Sequence, residues 1–246
     1  MRYLIVSDIH SNWQALQAVL RQAEGRWDQA LCCGDLVGYG ADPNPVTDWV
    51  RGHSAYTVRG NHDKISLDAE DLEWFNPVAR AASVWTMAQL SQVNFDYLRS
   101  LPAGPLRVDG FQLIHGSPLD EDEYLISAAD VRNVSDYLEA GVSFFGHTHL
   151  QCGYSWAEGY LQVMRQLDPF DAEIRHRLVR NGVYLINAGS VGQPRDGDWR
   201  AAFALFDTEA KIVHFHRTPY NLKEAQDRIF EAKLPPRLAT RLASGR

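Results

Sequence analysis

The chain has 246 residues, 45% hydrophobic and 22% charged, a composition that fits a folded domain and excludes disordered and fibrous classes. Its formal net charge of −7 argues against a nucleic-acid backbone as the general partner, because such binding draws on clustered Lys and Arg. Three cysteines, two of them adjacent at Cys32 and Cys33, make neither a disulfide framework nor a C-x-x-C motif and read as small buried hydrophobes, and no apolar run reaches membrane-spanning length.

The first apolar run, residues 3–6, is too short for a secretion signal and leads straight into Asp8 and His10, so a single cytoplasmic domain is expected. Trp13, Leu16, Val19 and Leu20 then recur at helical spacing, with Ser11 as the expected N-cap. A second run at 30–33 completes a strand–helix–strand opening, which favours parallel pairing, and ends in Gly34-Asp35. A third, at 56–58, precedes Asn61 and His62. Residues 64–102 read as a helical insertion, in which Asn76-Pro77 starts one helix and Ser91 caps another that stops near Pro102. Runs at 111–114, 142–145 and 183–186 end in His115, in His147 with His149, and in Asn187. Two further runs, 201–206 and 211–216, flank Asp207-Thr208-Glu209-Ala210 as a hairpin, which makes the later sheet mixed or antiparallel. His214 and His216 alternate along the second of these and are expected to face solvent. A C-terminal helix and a solvated basic tail account for 221–246.

Asp8, His10, Asp35, Asn61, His115, His147 and His149 thus lie just past strand ends, where open α/β sheets bind ligands. Oxygen and nitrogen donors without a thiolate suit borderline divalent metals: manganese is expected first, with iron, zinc, nickel and cobalt as alternatives. Seven candidates exceed the three protein ligands of a typical catalytic zinc and make better sense as two metals sharing a carboxylate. Such a pair, about 3.5 to 4 Å apart, lowers the pKa of a bridging water so that hydroxide can attack phosphorus in line. His62, beside Asn61, is the candidate general acid. Arg195, in the loop 192–197, is a candidate bidentate phosphate clamp, and Asn12, which reads first as a helix-start residue, is a weaker substrate-binding candidate. Asp63 is assigned to supporting its loop through backbone hydrogen bonds, and Trp74, Phe75, Trp85 and Tyr97 to core packing.

Taken in order, Asp8-Ile9-His10, Gly34-Asp35, Gly60-Asn61-His62-Asp63, His115-Gly116 and Gly146-His147-Thr148-His149 resemble the calcineurin-like metallophosphoesterase superfamily, nearest its small bacterial phosphodiesterase branch. The resemblance continues into Asn187-Ala188-Gly189-Ser190. It implies an α/β fold, a two-sheet β-sandwich flanked by helices in four layers. It also implies one metal on Asp8, His10, Asp35 and His149 and another on Asp35, Asn61, His115 and His147, with Asp35 as the bridge. One departure stands out. The protein Ser/Thr phosphatases of the superfamily follow the first Gly-Asp with a second Asp and an Arg, whereas here the chain runs Leu36-Val37-Gly38-Tyr39-Gly40 and leaves His62 without a carboxylate partner. The expected function is therefore a dinuclear phosphodiesterase acting on small organic or nucleotide diesters, with neither membrane nor nucleic acid as partner. A phosphomonoesterase, a nuclease and a non-catalytic metal-binding scaffold are the alternatives, and a nuclease would need a basic groove beside the metals.

Overall fold

The structure, a computed structural model, describes residues 1–68, 72–157, 160–179 and 181–246. In chain order, β1 (Arg2–Val6), α1 (Trp13–Ala23), β2 (Gln29–Cys32), α2 (Pro43–His53), β3 (Ser54–Thr57) and α3 (Asn61–Ile65) open the fold. Helices α4 (Pro77–Gln89) and α5 (Gln92–Ser100) follow, then β4 (Leu106–Val108), β5 (Phe111–Leu113), α6 (Ala128–Asn133) and β6 (Val142–Phe145). Next come β7 (Cys152–Ala157), β8 (Tyr160–Val163), β9 (Glu173–Arg177), β10 (Val183–Asn187), β11 (Ala201–Asp207) and β12 (Ile212–Thr218), closed by α7 (Leu222–Glu231) and α8 (Pro236–Leu242).

The strands form two six-stranded sheets, ordered β3-β2-β1-β11-β12-β9 and β4-β5-β6-β10-β7-β8. Each is mixed. In the first, β1, β2 and β3 pair in parallel while β1 meets β11 antiparallel. In the second, β5, β6 and β10 are parallel and β10 meets β7 antiparallel. The expected hairpin between β11 and β12 is present.

Strand periodicity explains the layering. Along β1, Tyr3 and Ile5 point between the sheets and join Phe111, Phe144, Phe206 and Phe215, while Leu4 and Val6 point outward against the helices with Leu16, Val19 and Phe203. Tyr3 to Val6 are all fully buried, which is why the run is apolar on both faces; each such Leu, Ile or Val stabilises the fold by roughly 1.5–3 kcal/mol. A smaller cluster under α6, built on Val131, Val134, Phe145 and Leu185, covers the outside of the second sheet. The whole is an α/β two-sheet sandwich flanked by helices, as expected. The three cysteines are free and buried.

Three local expectations are corrected. The N-cap of α1 is Asn12: its Oδ1 accepts the Ala15 amide at 3.1 Å, whereas Ser11 sits at φ 52°, outside the extended backbone that a cap adopts. The basic tail is not solvated throughout, because Pro236 starts α8 and that helix buries Leu238, Ala239 and Leu242 in the outer core. His216 is 1% exposed: the antiparallel register places it opposite Phe203, on the face covered by helices, and the two rings stack at 4.8 Å. Asn76 and Ser91 do cap α4 and α5.

Candidate metal centre

Because β1, β2 and β3 run parallel in one sheet, and β5, β6 and β10 in the other, the loops after all six strands open at one edge of the sandwich. β1 delivers Asp8 and His10, β2 delivers Asp35, and β3 leads to Asn61 at the start of α3. Across the gap β5 delivers His115, and β6 delivers His147 and His149. All seven side chains are brought together and buried. They make two groups with ligand spacing, Asp8 with His10, Asp35 and His149, and Asp35 with His115 and His147. Asp35 belongs to both: its Oδ2 lies 3.5 Å from His10 Nε2 and 3.5 Å from His115 Nε2. Asn61 Oδ1 lies 3.2 Å from His115 Nε2 and 3.1 Å from His147 Nδ1.

The hydrogen bonds around the four histidines assign their protons. His10 Nδ1 faces Val37 O at 2.9 Å, His149 Nδ1 faces Gln193 O at 2.6 Å, His115 Nδ1 faces Cys33 O at 2.7 Å and His147 Nε2 faces Asp122 O at 3.1 Å. A carbonyl only accepts, so each of these outer nitrogens carries the hydrogen, and in the neutral ring each inner nitrogen presents a lone pair. His10 Nε2 and His149 Nε2 then stand 3.0 Å apart with two lone pairs facing each other. That repulsion is relieved by a cation, and outer carbonyl partners of this kind orient metal-bound imidazoles. The residues present therefore fit divalent metal ions.

Electrostatics keep three of the four rings neutral, while the fourth, His115, holds the proton that balances the buried carboxylates. Burial lowers His10 and His149 far below the usual imidazole range and takes His147 down to about 3, so these rings are neutral. Burial raises Asp8 to about 7, and the neighbouring Asp35 charge adds to it. Burial alone would also raise Asp35, but His115, His62 and His10 hold it well below the carboxylate range. His115 is the complement: burial opposes its charge, yet Asp35 and Asp8 push it up to about 10.

The backbone is bent to bring these groups inward. Asp8, His10, Asp35, His147 and His149 have φ of 51°, 49°, 56°, 66° and 60°, the left-handed region that L-residues avoid and that costs on the order of 1–3 kcal/mol each. Buried hydrogen bonds hold them there. Asp63, expected as a loop support, accepts the amides of Asp35, Leu36, Val37 and Gly60 at 2.9 to 3.1 Å. Asn187 Nδ2 donates to Gly146 O and Thr148 Oγ1, which pins the loop bearing His147 and His149. Ser190 Oγ donates to Asp8 O at 2.7 Å. Gly60 admits no side chain, since a Cβ there would lie 2.1 Å from Asp35 Oδ1.

His62 lies beside the cluster, 4% exposed, with its amide donating to Asp35 Oδ1 at 2.8 Å. Its Nδ1 is buried without a hydrogen-bond partner, and burial takes the ring to about 4 despite the Asp35 charge. A Cβ on Gly38 would meet that Nδ1 at 2.8 Å, so the residue that replaces the phosphatase-type Asp also makes room for the imidazole. Arg195 is half-buried: one guanidinium nitrogen donates to Tyr39 Oη at 3.3 Å and Gln193 Oε1 at 3.0 Å, while Nε is buried and unpartnered. Asn12 starts the helix: its Oδ1 caps α1 and its Nδ2 donates to Gly192 O at 2.9 Å.

In front of His62 and His147 opens a cavity of about 460 Å³, walled by Tyr39, Phe75 and Tyr124. Phe75 meets the His62 ring edge-on at 5.2 Å, and Tyr124 lies 3.8 Å from the His147 ring. Phe75 therefore serves both core and cavity, whereas Trp85 and Tyr97 pack against the outer core as expected. The Trp74 side chain lies outside the described residues. Tyr39 and Tyr124 are the functional candidates that sequence reading missed; Tyr39 lies four residues after Asp35 in the Gly38-Tyr39-Gly40 turn, but nothing local marks Tyr124.

Comparison with known proteins adds an independent line. The profile of the calcineurin-like phosphoesterase superfamily domain matches residues 1–211. An uncharacterized protein of Methanocaldococcus jannaschii is 36% identical over 250 residues, covering 98% of this chain and 97% of its own. Among solved structures, a metallophosphoesterase from Sphaerobacter thermophilus superposes with a TM-score of 0.87 at 37% identity, covering 100% of this chain and 99% of that one. A hypothetical protein from Pyrococcus horikoshii OT3 shares the fold, with a TM-score of 0.79 at 20% identity over 100% and 98% of the two chains.

Proposed function

The chain belongs to the calcineurin-like phosphoesterase superfamily, and from that premise we propose that it is a dinuclear metal-dependent phosphodiesterase acting on small organic or nucleotide diesters. The observation that carries the reading is the Asp35 carboxylate, common to two buried groups with ligand spacing and 3.5 Å from a histidine nitrogen of each. Asp8, His10, Asp35 and His149 would hold one ion, and Asp35, Asn61, His115 and His147 the other, with manganese the first metal to try. When bound, two divalent ions supply Lewis acidity toward the phosphoryl oxygens and an activated water.

The chain's own residues do the rest. Arg195, a guanidinium at the site's edge with Nε unpartnered, orients a phosphoryl oxygen by charge-assisted hydrogen bonding. His62 stands at the cavity side, where the leaving oxygen departs. Neutral as found, it donates a proton once the negative charge of a bound ester raises its pKa. Tyr39, Phe75 and Tyr124 exclude water from the space that the ester groups fill.

Beyond the charge that the two ions would bring, the protein's own cations suit a diester better than a monoester. A monoester carries close to two negative charges near neutral pH and a diester one, and the protein cations at this site are few. Arg195 is one, and Lys64, on the cavity wall, lies 3.5 Å from Asp122 and 3.7 Å from Glu121, which already draw on its charge.

The test is hydrolysis of bis-p-nitrophenyl phosphate and p-nitrophenyl phosphate by metal-stripped protein reconstituted with Mn, Ni, Co, Zn or Mg. We expect faster diester cleavage, greatest with Mn. Asp35→Ala removes a ligand common to both ions and should lose more than the roughly 10–100-fold typical of losing an outer partner. Preference for the monoester would overturn the diester assignment, and metal-independent turnover the dinuclear one.

A further inference from the structure

A third group with ligand spacing lies outside the centre described above and shares no residue with it: Glu173, His214 and His216, each offering a donor atom within 4.8 Å of the others. Register builds it. β12 pairs antiparallel with the edge strand β9 so that His216 faces Glu173 directly, and the two-residue period of the strand places His214 on the same face. The imidazoles lie parallel, at 5° and 6.0 Å, and each turns Nδ1 toward one carboxylate oxygen. His214 Nδ1 is 3.7 Å from Glu173 Oε1, and His216 Nδ1 is 3.5 Å from Oε2, both longer than a normal hydrogen bond. His216 is held in place by stacking on Phe203, and Glu173, with 47% of its side chain exposed, keeps one side of the group open to water.

We propose that Glu173, His214 and His216 form a further metal site, for zinc or another borderline divalent ion. Two imidazoles and a carboxylate on rigid neighbouring strands are a donor set that such ions favour, and three protein ligands leave a position for water. Burial keeps the His216 ring neutral at pH 7, as a ligand has to be.

Arg26 is the internal competitor. One guanidinium nitrogen lies 3.3 Å from Glu173 Oε2 and 3.4 Å from His216 Nε2, so a cation already occupies the flank of the group. By donating to Nε2 it leaves the His216 proton on Nδ1, the atom that faces Glu173. Its side chain is 37% exposed and can swing into water. The proton then shifts to Nε2, the Nδ1 lone pair opens toward Glu173, and the ion takes the place of the guanidinium. Metal and Arg26 therefore exclude each other.

The experiment is equilibrium dialysis of untagged, full-length protein against zinc, with bound metal counted by mass spectrometry. The half-exposed His214 is the variant of choice, its fold checked by circular dichroism. We expect wild type to hold one more zinc per chain than His214→Ala, Glu173→Gln to bind this ion at least ~10-fold more weakly, and Arg26→Ala to bind it several-fold more tightly. Equal counts in wild type and His214→Ala at saturation would overturn the site, and unchanged affinity in Arg26→Ala would overturn the exclusion. The readout is a difference between chains, so it stands whether or not the Asp35 centre fills.

Discussion

At the scale of single residues, Asp63 and His62 are neighbours with opposite duties. Asp63 never faces the cavity; its carboxylate gathers four backbone amides that bend the chain around Asp35. Asp63→Ala leaves those buried donors unpaired, at about 1–3 kcal/mol each where water cannot reach them, so urea unfolding should show a loss of at least about 3 kcal/mol. The His62 ring packs against Tyr39 and Phe75, and its Nδ1 bonds to nothing. If it protonates the leaving oxygen, His62→Ala should slow esters with poor alkyl leaving groups by about 100-fold or more and barely slow p-nitrophenyl esters, whose leaving group needs no proton. Equal slowing across a leaving-group series would reduce His62 to a phosphate contact.

At the scale of elements, the two strand registers put side chains where local pattern alone does not. Alternation along β12 leaves open which face is solvent, and pairing with β11 decides it by setting His216 against Phe203. The consequence is a pH dependence. His216 titrates near 6.5 in the unfolded chain and near 4 in the fold, first because it is buried and then because Arg26 is close, with Glu173 opposing and His214 adding a small push downward. A depressed imidazole pKa means that its stability contribution is complete above about 6.5 and is lost as pH falls toward 4, because the unfolded chain takes up the proton first. Chelator-treated wild type should therefore lose up to roughly 3 kcal/mol between pH 7 and pH 4 from this residue, a slope that His216→Phe flattens. Denaturant melts at several pH values measure it. The same lesson applies to α8, whose arginines suggest a solvated tail until Leu238, Ala239 and Leu242 are seen packing inward.

At the scale of the whole molecule, the two sheets hold like against like: lone pairs facing at 3.0 Å, carboxylates buried side by side, and five of the candidate ligand residues in left-handed backbone. Divalent ions held by this folded arrangement in preference to the unfolded chain would stabilise it, so metal removal should lower the melting temperature. At metal concentrations near 100 times Kd the stabilisation per ion is about 2.7 kcal/mol. A thermal melt unmoved by chelator and restored metal would count against the centre. Among the described residues no helix is long and apolar enough to cross a membrane.

The sequence by itself determined the strand ends and the polar residues that follow them, because apolar runs, Gly-Asp and Gly-Asn-His-Asp blocks are local and each announces a turn out of a buried strand. It determined the family and the two-sheet class in the same way, through the order of those blocks. Only the tertiary structure decided that Asn12 Nδ2 is spent on Gly192 O, that His216 is buried against Phe203, and that Tyr124 walls the cavity. It alone set His214 and His216 beside Glu173. Those facts depend on which strands pair and in what register, and pairing is a long-range property of the whole sandwich that no window of neighbouring residues contains.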